Sequence, residues 1–109
     1  MKVKVIALHS GEGAFPTFAK GAAVTMGEED THFLHWYPCE INGHQTYVPD
    51  TFINDGVLTR DYNPTELVQN AGDILMVKEI VNAWLYATND NGQTGWIPAE
   101  VVVSFGIHA

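Results

Sequence analysis

The stretch that decides the fold is Gly92-Gln93-Thr94-Gly95-Trp96-Ile97-Pro98, because a similar stretch, Gly43-His44-Gln45-Thr46-Tyr47-Val48-Pro49, stands in the first half of the chain. Upstream of each, Ala71-Gly72-Asp73 corresponds to Ala19-Lys20-Gly21 at a similar offset. A period of roughly 50 residues indicates two copies of one small structural unit. We expect the residues that both copies share to build the scaffold, and those that differ to carry function.

Between these stretches, short apolar runs alternate with turn residues. Residues 2–8 alternate polar and apolar side chains, and residues 74–81 form the longest β-branched run. Asn42-Gly43 and Asn89-Asp90-Asn91-Gly92 are strong hairpin signals. The pattern predicts an all-β fold of two small five-stranded barrels in tandem, packed together. We place the boundary at Asn54-Asp55-Gly56, which gives domains of residues 1–55 and 56–109.

Composition and charge exclude several classes of protein. The chain has 109 residues, and its hydrophobic content of 46% is ample for a packed core. Thirteen acidic and five basic residues give a net charge of -8, which argues against a nucleic-acid partner and favours either basic peptides or an uncharged ligand. No apolar run approaches the roughly 20 residues that span a bilayer. Because the alternating start does not resemble a signal peptide, we expect a cytoplasmic protein.

The positions of the histidines and of the cysteine favour neither a metal site nor a catalytic nucleophile. His32, His35, Cys39 and His44 are ligand types at short spacings, but residues 35 and 39 of a strand lie about 13 Å apart. We therefore expect no metal site and no cofactor. Cys39 with a nearby histidine could act as a nucleophile, yet no third orienting residue is evident. The chain has no glycine-rich phosphate loop, so we expect a protein that is not an enzyme.

Three segments of the second half carry a family pattern: Glu66-Leu67-Val68-Gln69-Asn70-Ala71-Gly72-Asp73, then Ala83-Trp84-Leu85-Tyr86-Ala87, then Gly92-Gln93-Thr94-Gly95-Trp96-Ile97-Pro98-Ala99-Glu100-Val101-Val102. In these segments the second half resembles a Src homology 3 (SH3) domain. The first half is a more divergent relative, through Lys20-Gly21, Trp36 and Tyr47-Val48-Pro49-Asp50-Thr51-Phe52-Ile53. The chain as a whole resembles a tandem SH3-like protein of the short sort common in bacteria.

The resemblance implies binding of an extended proline-rich or basic peptide in an aromatic trough on the second copy. The residues it assigns to the trough and to the acidic loops beside it are Tyr62, Trp84, Pro98, Val101, Asp61, Glu66 and Asp73. Two trough positions depart from the family pattern, because Arg60 and Val101 stand where groove tyrosines are expected.

The resemblance also implies a second groove on the first copy, built from His9, His35 or Trp36, Pro49 and Phe52. Counting back from Pro49 by the spacing of the second copy puts His35 at the position of the ligand-binding tryptophan, and a gap would put Trp36 there. Alternatively, Trp36 and Phe52 pack the barrel or the contact between copies, since large aromatic side chains stabilise small cores.

The leading prediction is therefore a non-enzymatic module that binds a protein or peptide ligand. The first alternative is a structural or oligomerising module, such as a homodimer, whose aromatic residues are buried between copies or chains. The second is cell-wall or glycan binding of the kind known for bacterial SH3-like repeats, which would require an export signal.

Overall fold

The computed structural model describes residues 1–11 and 13–105, and it confirms that the chain is all-β. The strands are β1 (Lys2–Val5), β2 (Val24–Met26), β3 (Trp36–Ile41), β4 (His44–Pro49), β5 (Ile53–Asn54), β6 (Val57–Leu58), β7 (Ile74–Val81), β8 (Trp84–Thr88), β9 (Thr94–Pro98) and β10 (Val102–Phe105). Short 3₁₀ turns at Asp50–Phe52 and Ala99–Val101 follow the two strands that end in proline. As the described residues form them, the sheets are open and do not close into barrels. No helix in this part of the chain has the length and apolarity to cross a membrane.

The chain divides into two compact units. One is built from two separate segments, Met1–Gly13 and Thr65–Ala109, and is called the discontinuous unit. The other, Ala14–Pro64, is called the continuous unit. These limits differ from the halves 1–55 and 56–109 that the repeat predicts, since the N-terminal segment belongs with the second half of the chain.

The discontinuous unit contains a five-stranded sheet in the order β10-β1-β7-β8-β9. In β1, Val3 and Val5 are buried while Lys2 and Lys4 are exposed, as expected when successive side chains of a strand point to opposite faces. The buried faces of these strands and of the segment before β7 form one apolar core. Its members are Val3, Val5, Leu67, Leu75, Leu85, Ala87 and Ile97.

The continuous unit contains the sheet β2-β3-β4 and the hairpin β5-β6. A bridge between Ala23 and Val57 joins the hairpin to β2, which gives the order β5-β6-β2-β3-β4. The hairpin turn consists of Asp55 and Gly56, which both have positive φ, 53° and 76°. Two-residue turns with positive φ at both positions match the right-handed twist of paired strands, so this turn keeps β6 beside β5.

The two units share one hydrogen-bond pattern. Gly72 N–H donates to Val5 O in the discontinuous unit, and Gly21 N–H donates to Leu58 O in the continuous unit. Four residues further along the first strand of each pair, His9 exchanges two backbone hydrogen bonds with Gln69, and Tyr62 exchanges two with Phe18. β6 and the residues after it therefore occupy the place in the continuous unit that β1 and the residues after it occupy in the discontinuous unit.

The equivalent strands come from opposite ends of their units. β1 is the first strand of the discontinuous unit, whereas β6 is the last strand of the continuous unit. The continuous unit thus has the strand order of the discontinuous unit in circularly permuted sequence. The physical reason is the tight Asp55-Gly56 turn, because it folds β6 back onto β5 where a domain boundary was expected.

Candidate functional site

Trp84 is the first residue of β8 and lies opposite Pro98 of β9. The turn before it holds Asn82 and Ala83 at positive φ, 43° and 72°, and the Ala83 carbonyl accepts a hydrogen bond from Ala99 N–H. Pro98 is buried, whereas Trp84 is partly exposed. The tight turn and the proline therefore fix the tryptophan at the end of the sheet with part of its ring accessible.

His9 lies against Trp84 from the N-terminal segment. The two rings are edge to face, with centroids 5.9 Å apart and planes at 72°. His9 Nδ1 is 2.8 Å from the carbonyl oxygen of Leu67, and His9 Nε2 is 3.2 Å from Glu66 Oε1. The His9 and Glu66 side chains are 14% and 13% exposed, so water screens their interaction only in part.

Both ring nitrogens of His9 face oxygen atoms that accept hydrogen bonds, the Leu67 carbonyl and the Glu66 carboxylate. When both nitrogens are protonated, the contact of His9 with Glu66 is an ion pair. The contacts with Leu67 and Glu66 orient the imidazole, which also packs edge to face with Trp84.

Tyr62 and Asp61, which were predicted in the same trough as Trp84, belong to the continuous unit. Tyr62 is 3% exposed, its hydroxyl donates to the Tyr47 carbonyl at 2.6 Å, and its ring lies edge to face with Phe52 at 5.4 Å. The Asp61 carboxylate accepts a hydrogen bond from Lys20 N–H. Tyr62 thus packs the core of its own unit, and within the discontinuous unit its equivalent position beside Trp84 is filled by His9.

The structure places two further predicted residues, Asp73 and Val101, in scaffold roles. Asp73 accepts hydrogen bonds from Gln69 Nε2 and Asn70 N–H, both at 2.8 Å, which holds the turn before β7. It also lines an open polar pocket of about 350 Å³ together with Gln69 and the amides of the 89–93 loop. Val101 packs partly buried against the apolar core.

Of the residues predicted for a second groove, all except His9 and His35 are buried in the continuous unit. Trp36 and Phe52 are each 4% exposed and Pro49 is fully buried, so the described structure presents no open trough at these side chains. Trp36 lies opposite Pro49 as Trp84 lies opposite Pro98, which makes Trp36 the structural equivalent of Trp84.

His35 is instead the equivalent of Ala83. It has φ 71°, its carbonyl accepts from Asp50 N–H, and its ring nitrogen Nδ1 is 3.0 Å from Asp50 Oδ2 on the surface. Counting back from Pro49 by the spacing of the second copy assigns His35 to the position equivalent to Trp84, because this count ignores that the two hairpins differ in length. The β3–β4 turn is Asn42-Gly43, whereas β8 and β9 are joined by residues 89–93.

The equivalent positions of the continuous unit form a closed aromatic cluster. Arg60 lies over the Phe52 ring, with Cζ 4.3 Å from the ring centroid, and Phe52 contacts Tyr62. Where the discontinuous unit has His9 and Val101, the continuous unit thus has the larger Tyr62 and Phe52. The shared scaffold carries an accessible tryptophan in one unit and a buried one in the other.

Cys39 lies in β3 and is 4% exposed. Burial raises the pKa of its thiol to about 11, so the thiol stays protonated and weakly nucleophilic at neutral pH. Among residues 1–11 and 13–105, no group of three or more histidine, cysteine, aspartate or glutamate side chains is placed to hold a metal ion.

Sequence reasoning placed Trp84, Pro98 and Glu66 in one site but assigned His9 to the other. The signal that could have joined them was weak, since the segment that carries His9 alternates as any strand would. Comparison of the chain with protein-family models, with curated proteins and with solved structures finds no significant match.

Proposed function

We propose that this chain is a non-catalytic protein-interaction module with two SH3-like units, which binds an extended proline-rich or basic peptide at Trp84 of the discontinuous unit. The observation that carries the proposal is the arrangement of Trp84, His9 and Glu66. A partly exposed indole lies edge to face with the His9 imidazole, and Nε2 of that imidazole is 3.2 Å from a Glu66 carboxylate oxygen.

The two units act as an internal comparison that supports a binding role for Trp84. Both scaffolds place a tryptophan opposite a proline, and Trp36 is 4% exposed. Burial of this tryptophan is therefore compatible with the scaffold. The accessible Trp84 keeps apolar area in contact with water that a ligand can cover, and fixed aromatic side chains of this kind anchor peptide ligands.

Charge supports a basic ligand. The chain carries thirteen acidic and five basic residues, and the Glu66 carboxylate lies against His9, which contacts Trp84. A peptide in the polyproline II conformation loses little conformational entropy on docking, and an arginine next to its prolines would meet this carboxylate. The continuous unit, whose equivalent aromatics are buried, has a structural role in this proposal.

Titration of the labelled chain with a proline-rich peptide library that contains arginine, followed through the three tryptophan indole N–H resonances, tests this function. We expect the Trp84 indole to shift, and the peptides that bind to weaken at least tenfold in a Trp84→Leu variant. Tyr47→Leu is the matched control, since Tyr47 is an exposed aromatic residue of the continuous unit. An unmoved Trp84 indole, or equal binding by the Trp84→Leu variant, would rule out this site.

A further inference from the structure

The outer face of the five-stranded sheet is apolar around two lysines. Across the strands β10, β1 and β7, Phe105 pairs with Lys2 and Lys2 with Met76, and in the adjacent row Val103 pairs with Lys4. Because Val3 and Val5 face the core, these partners face the other side of the sheet. Phe105 and Met76 are each 46% exposed and Val103 is 45% exposed. These five residues are called the outer patch.

The continuous unit shows that the scaffold does not require apolar side chains at the positions of Met76 and Val103. Leu58 is the equivalent of Val5, so the pairings of β6 align Thr25 with Met76 and Asn54 with Val103. Thr25 and Asn54 are exposed polar residues. Met76 and Val103 are therefore not explained by the scaffold alone, and clustered exposed apolar residues mark interaction surfaces.

The outer patch adjoins a strand edge. β10 is the last strand of the sheet, and β1 is its one strand neighbour among the described residues. Its sequence, Val102-Val103-Ser104-Phe105, contains none of the charged residues or prolines with which proteins protect such edges from pairing. An extended segment of another chain can add to an edge of this kind through backbone hydrogen bonds.

The charges of the outer patch indicate what kind of segment fits. Lys2 and Lys4 are two of the five basic residues of the chain, and β1 and β10 contain no carboxylate. Pairing β10 with β10 of a second copy would bring the lysines of both copies to one surface without a compensating acid. A strand that alternates acidic and apolar side chains supplies carboxylates to the lysines and apolar groups to Met76 and Phe105.

We propose that the outer patch and the β10 edge bind an acidic, apolar, extended segment of a partner protein. This surface is distinct from Trp84, which lies at the start of β8 and favours a basic ligand. The discontinuous unit would then bind two peptides of opposite charge, one at Trp84 and one at the outer patch.

The test is selection of a random twelve-residue peptide display library on the whole chain. We expect enrichment of peptides that alternate aspartate or glutamate with aliphatic residues, and shifts of the backbone amides of β10 when such a peptide is added. The double variant Lys2→Gln/Lys4→Gln and the double variant Met76→Thr/Val103→Asn should each weaken the selected peptides at least tenfold. The second variant copies residues that the continuous unit already holds at equivalent exposed positions, so we expect it to fold, and its backbone amide spectrum checks this.

Trp84→Leu and Met26→Thr are the controls, and both should bind the acidic peptides as the unchanged chain does. Selected peptides without acidic residues would overturn the proposal, as would unchanged binding by both double variants. A dimer in sedimentation that Met76→Thr/Val103→Asn dissociates, and that acidic peptides do not compete, would assign the surface to a second copy and overturn it equally.

Discussion

At the scale of single residues, Tyr62 and His9 occupy equivalent positions of the two units and have different contacts. Tyr62 fills its position with a ring that packs on Phe52 and a hydroxyl that donates to a backbone carbonyl. His9 fills the equivalent position with a smaller ring whose two nitrogens face Leu67 and Glu66. The tyrosine packs in the core of its unit, whereas the histidine lies between the Glu66 carboxylate and a partly exposed tryptophan.

Cys39 gives the stability of the chain a defined dependence on pH. Its pKa is about 11 in the folded chain, above the ordinary thiol value of 9.0, because burial disfavours the thiolate. Between these values the unfolded chain releases the proton and the folded chain keeps it. The contribution of the buried thiol is therefore complete below pH 9 and is lost as the pH rises towards 11, by at most about 3 kcal/mol.

Urea unfolding of the unchanged chain and of Cys39→Ala, each at pH 8 and pH 10.5, measures this effect. We expect the unchanged chain to lose more free energy of unfolding between the two pH values than the variant does. The comparison cancels the titration of tyrosines and lysines, which both proteins share. Equal losses in the two proteins would show that the thiol is not desolvated.

At the scale of elements, the hairpin β5-β6 determines which strands meet. Its Asp55-Gly56 turn has positive φ at both positions, as does the Asn42-Gly43 turn of β3-β4. From Asn54-Asp55-Gly56 the sequence predicts a domain boundary, whereas in the structure Asp55 and Gly56 form the turn of this hairpin. A boundary and a tight hairpin use the same turn residues, so the local sequence could not separate them.

Replacement of Gly56 by alanine should destabilise the chain by about 1 kcal/mol, since a Cβ strains the left-handed backbone there. The added Cβ meets no atom within 4 Å, so the strain comes from φ alone. We also expect faster hydrogen exchange at Leu58 N–H, which donates to Ala22 O and joins the hairpin to β2.

Gly43→Ala is the matched control for this element, because Gly43 has φ 83° and equally open surroundings. It should cost a similar free energy of unfolding and leave exchange at Leu58 unchanged. If Gly56→Ala costs nothing, or if both variants affect Leu58 alike, the hairpin is not what holds β6 in the continuous unit.

At the scale of the whole chain, the sequence repeat predicted the all-β class and the strand pairs on either side of Asn42-Gly43 and of residues 89–93. It could not predict which of the two units β1 and β6 each join. β1 and β6 are both short strands with a buried apolar residue, Val5 or Leu58, at the equivalent place. The local sequence of each strand is compatible with either sheet. Which sheet a strand joins therefore depends on pairing with residues distant in the sequence, and the alternation of polar and apolar residues does not specify that pairing.

The unexpected assignment of β1 and β6 to the two units also explains why the sequence does not predict His9 beside Trp84. Trp84, Pro98 and Glu66 lie within one segment of the chain, so their grouping followed from a local pattern. His9 reaches Trp84 because β1 pairs with β10 and β7. Were the chain a simple tandem of its two halves, His9 would occupy the position beside Trp36, and Tyr62 the position beside Trp84.

Cross-strand nuclear Overhauser effects in the full chain test this arrangement most directly. The account predicts contacts of Lys2–Val5 with Val102–Phe105, and of the His9 ring with the Trp84 indole. Contacts of Lys2–Val5 with Ile53–Asn54, together with contacts of the His9 ring with Trp36, would contradict it.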